Sequence, residues 1–190
     1  GARLSVADIA TTGTFTGQEY RLVETVVPPE ADFLPAAKAA LAEGARVLVV
    51  RAPAADLLAL ADLPEARGAL IFNTEAPDEA LRGTDCRANV LHTLPSYAMR
   101  TDALAQFIVT KRWTHLAMIE GTLPEDRAYA AALRASLAKF GLSLAAEKTW
   151  DFDANMRRAA AAEVPLFTQD LPEHDLLLVA DEPGDFARYV

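Results

Sequence analysis

Acidic side chains occur in pairs directly after two predicted strands. Glu125 and Asp126 follow the strand predicted at 116–119, and Asp181 and Glu182 follow the one predicted at 175–180. Ligands of open parallel sheets bind outside the carboxyl ends of the strands, so the segments 73–77, 121–126 and 181–184 are positioned for function. Acidic residues at helix starts also complement the helix dipole, and both interpretations of these pairs stay open.

The sequence contains no motif for covalent catalysis or for nucleotide binding. The segment 12–17 contains two glycines, but it follows a predicted helix and precedes a predicted strand, which is the reverse order of a phosphate-binding turn. No G-x-S-x-G elbow occurs, and Cys86 has no histidine near it in sequence to activate the thiol. We therefore predict that the protein is not an enzyme.

Metal and cofactor sites are not predicted either. The three histidines are far apart and none shows helical metal-ligand spacing: His92, His115 and His174. The alternation of Asp151, Asp153 and Asn155 is similar to the start of a calcium loop, but Met156 replaces the turn glycine and Ala162 the closing glutamate. A strand end followed by a helix cap at Asn155 explains these residues better.

The elements that must position these groups alternate along the chain. Hydrophobic periodicity predicts helices at 4–8, 32–43, 56–63, 96–112, 125–140 and 155–162, and strands at 20–27, 46–50, 69–72, 116–119, 144–150 and 175–180. Strands separated by helices indicate βαβ units, a parallel sheet and helices on both of its faces. The predicted fold class is α/β.

Several features of these predicted helices and strands depend on one residue or one short run of residues. The first helix is expected to stop at Thr11-Thr12-Gly13, and Pro165 is expected to break the last helix. The run 46–50 is nearly all β-branched, which favours a strand buried on both faces. The stretch 82–95 lacks helical spacing and is the predicted crossing between two domains.

Composition and charge exclude two classes of partner. Alanine supplies 39 of the 190 residues, and no apolar run approaches the roughly 18 residues of a spanning helix, so no membrane insertion is predicted. The net charge of −9 repels phosphate backbones, which disfavours nucleic-acid binding. The first residues carry no targeting pattern, and Trp113 and Trp150 are expected to pack rather than to stack on a ligand.

The stretch 69–99 resembles the type I periplasmic substrate-binding proteins of the branched-chain amino acid group of ABC transporters. In that family a strand leads to a ligand turn, a helix start and a hinge crossing. Here the turn is Glu75-Ala76-Pro77, the helix start is Ala80-Leu81-Arg82, and the crossing is LHTLPSY at 91–97. The resemblance implies a periplasmic protein of two three-layer αβα lobes that passes a small molecule to the membrane subunits of a transporter.

The segments 8–18, 53–58, 76–83, 85–93 and 103–106 resemble one subgroup more closely. It is the substrate-binding protein of an ABC transporter linked to pyrroloquinoline-quinone-dependent alcohol dehydrogenase systems. The resemblance implies a first lobe at 1–95 that lacks its first strand and a second lobe at 96–190, so we expect a fragment incomplete at both ends. It also implies hinge residues Thr93, Pro95 and Ser96. The resemblance and the strand-end segments named above together give the predicted ligand contacts in the cleft: Asn73, Thr74, Glu75, Ala76, Pro77, Tyr97, Gly121, Glu125, Asp181 and Glu182.

The ligand turn departs from the family pattern. Amino-acid-binding members hold the ligand carboxylate with hydroxyl and backbone donors of a Ser-Ala-Thr turn, whereas Glu75 and Pro77 supply a negative charge and no hydroxyl. Glu75 would favour a cation, an amine or a hydroxyl donor. An exported accessory or sensor protein of the alcohol-oxidation system, which keeps the fold without the ligand, is the alternative; a small α/β enzyme is a third hypothesis that the missing motifs disfavour.

Overall fold

A computed structural model of the chain describes residues 1–28, 30–151, 156–184 and 186–188. Six α-helices and six strands lie along these residues, with short 3₁₀ turns at Pro64–Ala66 and Glu79–Arg82. In chain order they are α1 (Ala2–Thr16), α2 (Phe33–Ala42), β1 (Val47–Val50), α3 (Ala54–Ala61), β2 (Leu70–Asn73), β3 (Val90–His92), α4 (Tyr97–Lys111), β4 (Leu116–Gly121), α5 (Pro124–Lys139), β5 (Leu144–Trp150), α6 (Met156–Thr168) and β6 (Leu176–Ala180).

The first sheet has the strand order β1-β2-β3 and all of its pairings are parallel. Ile71 of β2 is fully buried and belongs to one hydrophobic cluster with Leu57 and Leu60 of α3 and Leu41 of α2. These two helices therefore cover one face of the sheet. Asp32 starts α2 by accepting a hydrogen bond from the backbone N–H of Leu34 at 3.0 Å.

The second sheet has the order β5-β4-β6 and is also parallel throughout. Its central strand β4 is buried on both faces. Leu116 and Met118 join one cluster with residues of α4 and α5, whereas Ile119 joins a second cluster with Trp150 and with Val164 of α6. Helices thus cover both faces, as expected for a parallel sheet.

A polar network ties α4 to α5. The hydroxyl of Ser136 lies 2.8 Å from that of buried Thr101 and donates to the Asp102 carboxylate at 2.7 Å. Lys139 donates to the other oxygen of Asp102 at 2.5 Å. The hydrogen bonds from Lys139 and Ser136 hold the pKa of Asp102 below its usual range, so the carboxylate stays charged.

The predicted α/β class with parallel sheets is confirmed. The helices predicted at 32–43, 56–63, 96–112 and 125–140 and the strands predicted at 46–50, 69–72, 116–119, 144–150 and 175–180 all form, with boundaries shifted by at most a few residues. The division into lobes at residue 95 stays a prediction.

Two predictions near the amino terminus are wrong. The segment 20–27 is not a strand, although its sequence alternates as a strand does, because no strand among the described residues pairs with it. The first helix does not stop at Gly13. It continues to Thr16 and ends at Gly17, which adopts the left-handed conformation with φ 68° that glycine tolerates.

Two further expectations are corrected. Strand β1 lies at a sheet edge and is not buried on both faces, since Val47 and Val49 are exposed. Pro165 lies inside α6 and does not break it, since Val164 and Phe167 on either side pack into the cluster around Trp150. The stretch 82–95 contains β3, and its role as the crossing between two domains stays a prediction.

The Asn155 cap lies outside the described residues. Across the ranges that the structure describes, no helix is both long enough and apolar enough to cross a membrane.

Candidate functional site

The carboxyl end of β2 carries a turn that Asn73 organises. Its Oδ1 accepts hydrogen bonds from the backbone N–H groups of Glu75 at 3.1 Å and Ala76 at 2.9 Å. Its Nδ2 donates to the carbonyl oxygen of Ala76 at 2.7 Å and lies 3.0 Å from Nδ1 of His92. Because Asn73 is fully buried and these four bonds use its whole capacity, it shapes the turn and has no group left for a ligand.

Two threonines connect the ends of the three strands. The hydroxyl of Thr74 donates to the carbonyl of Val50 at the end of β1, at 2.9 Å. The hydroxyl of Thr93, which follows β3, donates to the carbonyl of Asn73 at 3.0 Å. Both hydroxyl hydrogens are used within the protein, so each threonine can offer a ligand only an oxygen lone pair.

Glu75 is the accessible charged group of this turn. Its carboxylate lies 3.3 Å from Nε of Arg51, and both side chains are largely exposed, 42% for Glu75 and 82% for Arg51. An exposed ion pair of this kind contributes little to stability. Glu75 can therefore leave Arg51 and pair with another cation at little cost in free energy. Ala76 beside it is buried, and Pro77 adds no donor.

The turn is joined directly to the start of α4. The carbonyl of Pro77 accepts a hydrogen bond from the backbone N–H of Tyr97 at 3.1 Å, and the Glu79 carboxylate accepts from that of Ala98 at 2.9 Å. The Ser96 hydroxyl accepts from the N–H of Met99 at 3.3 Å. The segment that follows β2 therefore supplies part of the cap of α4, at the predicted hinge.

The carboxyl end of β4 is fixed by a member of the acidic pair at 125–126 that was not among the predicted ligand contacts. Asp126 is buried and accepts hydrogen bonds from the backbone N–H of Glu182 at 2.8 Å and of Leu123 at 3.2 Å. Burial raises the pKa of Asp126. A Cβ at Gly121 would lie 2.1 Å from Oδ2 of Asp126, so only glycine fits beneath this carboxylate.

Two tyrosines and an ion pair lie next to that strand end. The rings of Tyr97 and Tyr129 have centroids 5.7 Å apart, and the Arg100 guanidinium carbon lies 4.7 Å from the Tyr129 centroid. Arg100 donates to both carboxylate oxygens of Glu182, at 2.9 and 3.2 Å. Burial, together with the nearby charge of Glu182, raises the pKa of Tyr97 to about 12, so its hydroxyl is neutral and can donate.

The remaining two acidic candidates differ in their surroundings. Glu125 is exposed at the start of α5. The Asp181 carboxylate accepts hydrogen bonds from the backbone N–H groups of Phe186 at 2.6 Å and Ala187 at 3.0 Å. Asp181 is partly exposed and orders the segment that follows β6, whereas Glu125 and Glu182 are exposed.

The structure brings the candidates together in two groups. Asn73, Thr74, Glu75, Ala76 and Pro77 form the turn after β2, and Tyr97, Gly121, Glu125, Asp181 and Glu182 lie at or beside the carboxyl ends of β4 and β6. Asp126 and Tyr129 were missed as site residues. The sequence did contain a signal for Asp126. It is the third residue of a helix that starts after a strand, and a carboxylate at that position commonly caps the helix start by accepting a backbone hydrogen bond.

The tryptophans pack as expected. Trp150 is buried against Phe167 and Phe186, and Trp113 stacks edge-on against Phe107.

No group of three or more potential metal ligands occurs within the described ranges. Two surface cavities lie away from the candidate residues. One of about 350 Å³ is lined by His115, Glu173, His174 and Asp175, and one of about 670 Å³ runs along the free edge of β1 beside the segment 21–27 and α2.

Comparison with known proteins identifies the family. A sequence profile described as "Periplasmic binding protein" matches residues 1–171. A search of curated proteins gave no match.

Solved structures show the same fold. An ABC transporter substrate-binding protein from Desulfitobacterium hafniense superposes with a TM-score of 0.69 at 16% identity, over 94% of this chain and 52% of that one. A structure of an ABC transporter substrate-binding protein from the same organism in complex with Leu gives 0.67 at 14% identity, with the same coverage. The chain thus spans about half the length of these neighbours. On the family match, which covers most of its residues, the chain belongs to the periplasmic binding protein family.

Proposed function

We propose that this chain is part of the solute-binding component of an ABC transporter and binds a small molecule without transforming it. The match to the periplasmic binding protein family over residues 1–171 carries this proposal. The structural neighbours named as ABC transporter substrate-binding proteins support it. The protein would work in the periplasm and deliver its ligand to the membrane subunits of the transporter.

The ligand would lie between the turn after β2 and the carboxyl ends of β4 and β6. The first lobe offers the accessible carboxylate of Glu75, and the second offers Glu125 and the tyrosine hydroxyls beside Arg100. The buried groups Asn73 and Asp126 hold the two edges in shape. The hinge residues Thr93, Pro95 and Ser96 would allow the lobes to close.

The chemistry of this edge favours a ligand with an amine, another cation or a hydroxyl donor. Glu75 stands where amino-acid-binding members of the family are expected to have a hydroxyl, and its exposed pairing with Arg51 can be exchanged for a ligand cation. One neighbour is a complex with Leu; the acidic turn argues that the ligand of this chain has different polar groups.

A thermal-shift screen tests the proposal. The protein is heated with alcohols, aldehydes, amines, carboxylic acids, quinone cofactors and metal ions in turn. A ligand present at 100 times its Kd stabilises the folded state by about 2.7 kcal/mol, which a melting curve resolves. Calorimetry then compares Glu75→Gln, expected to weaken binding at least tenfold, with the matched control Glu173→Gln beside the distant His115 cavity.

Each outcome of the screen is informative. Tight binding of an anionic amino acid by calorimetry contradicts the ligand class while leaving the transport role intact. Equal loss of affinity in Glu75→Gln and Glu173→Gln contradicts the proposed site. No shift with any class of compound contradicts solute binding.

We further propose that the transporter serves pyrroloquinoline-quinone-dependent alcohol oxidation, which rests on the resemblance of segments such as 8–18 and 85–93 to that subgroup. The second candidate is an accessory or sensor protein of the same system. It is favoured by the use of the turn's polar groups within the protein, since Asn73, Thr74 and Thr93 all donate internally. A blank screen would support it.

A further inference from the structure

The chain passes from the first sheet to the second through four residues. Strand β3 is the last strand of the first sheet along the chain, and α4 leads from it to β4 of the second. Residues 93–96 join β3 to α4, and we call them the connection. The two sheets can change their relative position only if the contacts that hold the connection change.

Both ends of the connection are fixed. At the first end, Thr93 donates its backbone N–H and its hydroxyl to the carbonyl of Asn73, at 3.1 and 3.0 Å. At the other end, Ser96 is buried, and its hydroxyl accepts the N–H of Met99 in α4. The middle of the connection, at Leu94, is held by a different element.

That element is the second of the two 3₁₀ turns. Arg82 donates from Nη2 to the carbonyl of Leu94 at 2.6 Å, a short distance that is typical of a charged donor. In the same turn the Glu79 carboxylate accepts the N–H of Ala98 at 2.9 Å. Leu81, between these two residues, is buried in the hydrophobic cluster of the first sheet. The turn is thus anchored in the first sheet and contacts both the connection and the helix that follows it.

The guanidinium of Arg82 has donors that the bond to Leu94 does not use. Its Nη1 is buried and has no hydrogen-bond partner among the residues that the structure describes. An arginine side chain has five N–H donors, and a buried N–H without a partner costs free energy. The protein therefore holds Arg82 against the connection at a cost. The unused N–H groups can take another carbonyl if the connection moves.

The same guanidinium acts on His92, the last residue of β3. Burial lowers the pKa of His92, and the positive charge of Arg82 lowers it further, so the guanidinium lies near the ring. Nδ1 of the same ring lies 3.0 Å from Nδ2 of Asn73, the side chain that shapes the turn carrying Glu75. His92 therefore stands between the candidate ligand turn and Arg82.

We propose that Arg82 is the positioning residue of the connection and ties it, through His92, to the turn after β2. One set of contacts joins Asn73 to His92, another joins Arg82 to Leu94, and the charge of Arg82 acts between them. Coupling between distant groups is carried by neighbours of this kind. The consequence for transport rests on the proposed function: a ligand held by the turn would bias the position of the connection, and with it the closure of the cleft.

Amide hydrogen exchange of the 190-residue chain tests the positioning role. Arg82→Met keeps an apolar stem and removes the charge and every donor. The amides of Tyr97 and Ala98, which are bonded to the segment after β2, should then exchange at least tenfold faster. The amide of Leu70, bonded to Arg46 at 2.8 Å, is the internal reference. Equal acceleration at Leu70, or none at Tyr97 and Ala98, overturns the proposal.

Two further variants separate position from general stability. Arg87→Met is the matched control, because Arg87 also forms an ion pair, with Asp62 at 2.6 Å, at a place away from the connection. It should leave exchange at Tyr97 and Ala98 unchanged. Arg82→Lys keeps a charged donor and should bring exchange back to within threefold of the wild type. If lysine rescues nothing, or if the control has the same effect as Arg82→Met, the proposal is wrong.

The tie to the turn is measured at His92. Its pKa, followed by NMR, should rise in Arg82→Met and stay lowered in Arg82→Lys, a difference that loss of packing does not produce. Combined with Asn73→Ala, Arg82→Met should change the unfolding constant by at least fivefold more or less than the product of the single effects. With Arg87→Met that product should hold within twofold. An unchanged pKa of His92, or products that hold in both pairs, overturns the tie.

None of these measurements uses a ligand. A blank thermal-shift screen would contradict solute binding while the exchange and titration results still support the role of Arg82. The contrary results named above would overturn the role of Arg82 and leave solute binding intact.

Discussion

The buried amide of Asn73 provides a quantitative test of how the ligand turn is built. Asn73→Ala removes four hydrogen bonds at once and leaves the N–H and C=O of Ala76 without their partner inside the protein. A buried backbone group without a partner costs about 1–3 kcal/mol, and water can reach the half-buried N–H of Glu75. We expect a loss of about 3 kcal/mol in the free energy of unfolding.

The neighbouring histidine gives the same site a pH signature. Because Nδ2 of Asn73 is a donor, Nδ1 of His92 must be the acceptor and carry no proton. Burial lowers the pKa of His92, with the charge of Arg82 adding to the effect. A histidine whose pKa falls on folding destabilises the folded state as pH drops through about 6.5, its unfolded value.

Asn73→Asp reverses that sign. A carboxylate 3.0 Å from Nδ1 would favour the protonated ring and raise the pKa of His92. The stabilisation from the new pair is then present below pH of about 6.5 and is lost as pH rises through the raised pKa. The variant should therefore be closest to the wild type in stability at acidic pH and furthest from it at alkaline pH.

Urea unfolding at about pH 5.5 and about pH 8 measures both effects. The difference in the free energy of unfolding between variant and wild type removes the contributions of titrating groups that the two proteins share. Asn89→Ala is the matched control, because that amide makes two longer bonds, 3.2 and 3.3 Å, and should cost about 1 kcal/mol. If Asn73→Ala costs no more than this control, or if Asn73→Asp becomes relatively more stable as pH rises, the account of the turn is wrong.

Other substitutions test the remaining supports of the fold, each by chemical denaturation. Gly121→Ala should cost about 3 kcal/mol, because the new Cβ would overlap the Asp126 carboxylate, whereas Gly68→Ala, with open space around it, should be near neutral. Glu79→Ala should cost about 1 kcal/mol by removing an acceptor from the first turn of α4; no change would mean that Glu79 does not cap this helix. Ser136→Ala should cost about 1–2 kcal/mol by breaking the bridge from α5 to α4, and a neutral result would contradict that network.

Periodicity predicted most elements because each has its own local signals. The helix α2 has a capping Asp32 and a stop at Gly44, and β4 is a short apolar run between a helix and a turn. The segment 20–27 shows the limit of such signals. Its alternation is that of a strand, and it lies beside the free edge of β1, yet the two do not pair; the sequence pattern does not report whether such a pairing forms.

The strand ends that form the candidate site could be predicted from the sheet topology. Parallel strands bring their carboxyl ends to one side, so the segments after β2, β4 and β6 could be selected without coordinates. The direction in which each side chain points could not be predicted in this way. Glu125 and Asp126 are adjacent acids of one helical turn, yet the first is exposed and the second is buried beneath Glu182, because the helix start fixes which of them points inward.

The two edges solve the same problem in the same way. After β2, buried Asn73 accepts two backbone N–H groups; beside β4, buried Asp126 does so as well. In each case the exposed acid, Glu75 or Glu125, is a different side chain from the one that shapes the turn. In the proposed site, shape and ligand chemistry would therefore reside in separate residues. If Glu75 contacts the ligand as proposed, a substitution there would change which ligand binds while Asn73 preserves the turn, whereas placing both tasks on one residue would disturb the turn whenever specificity changed.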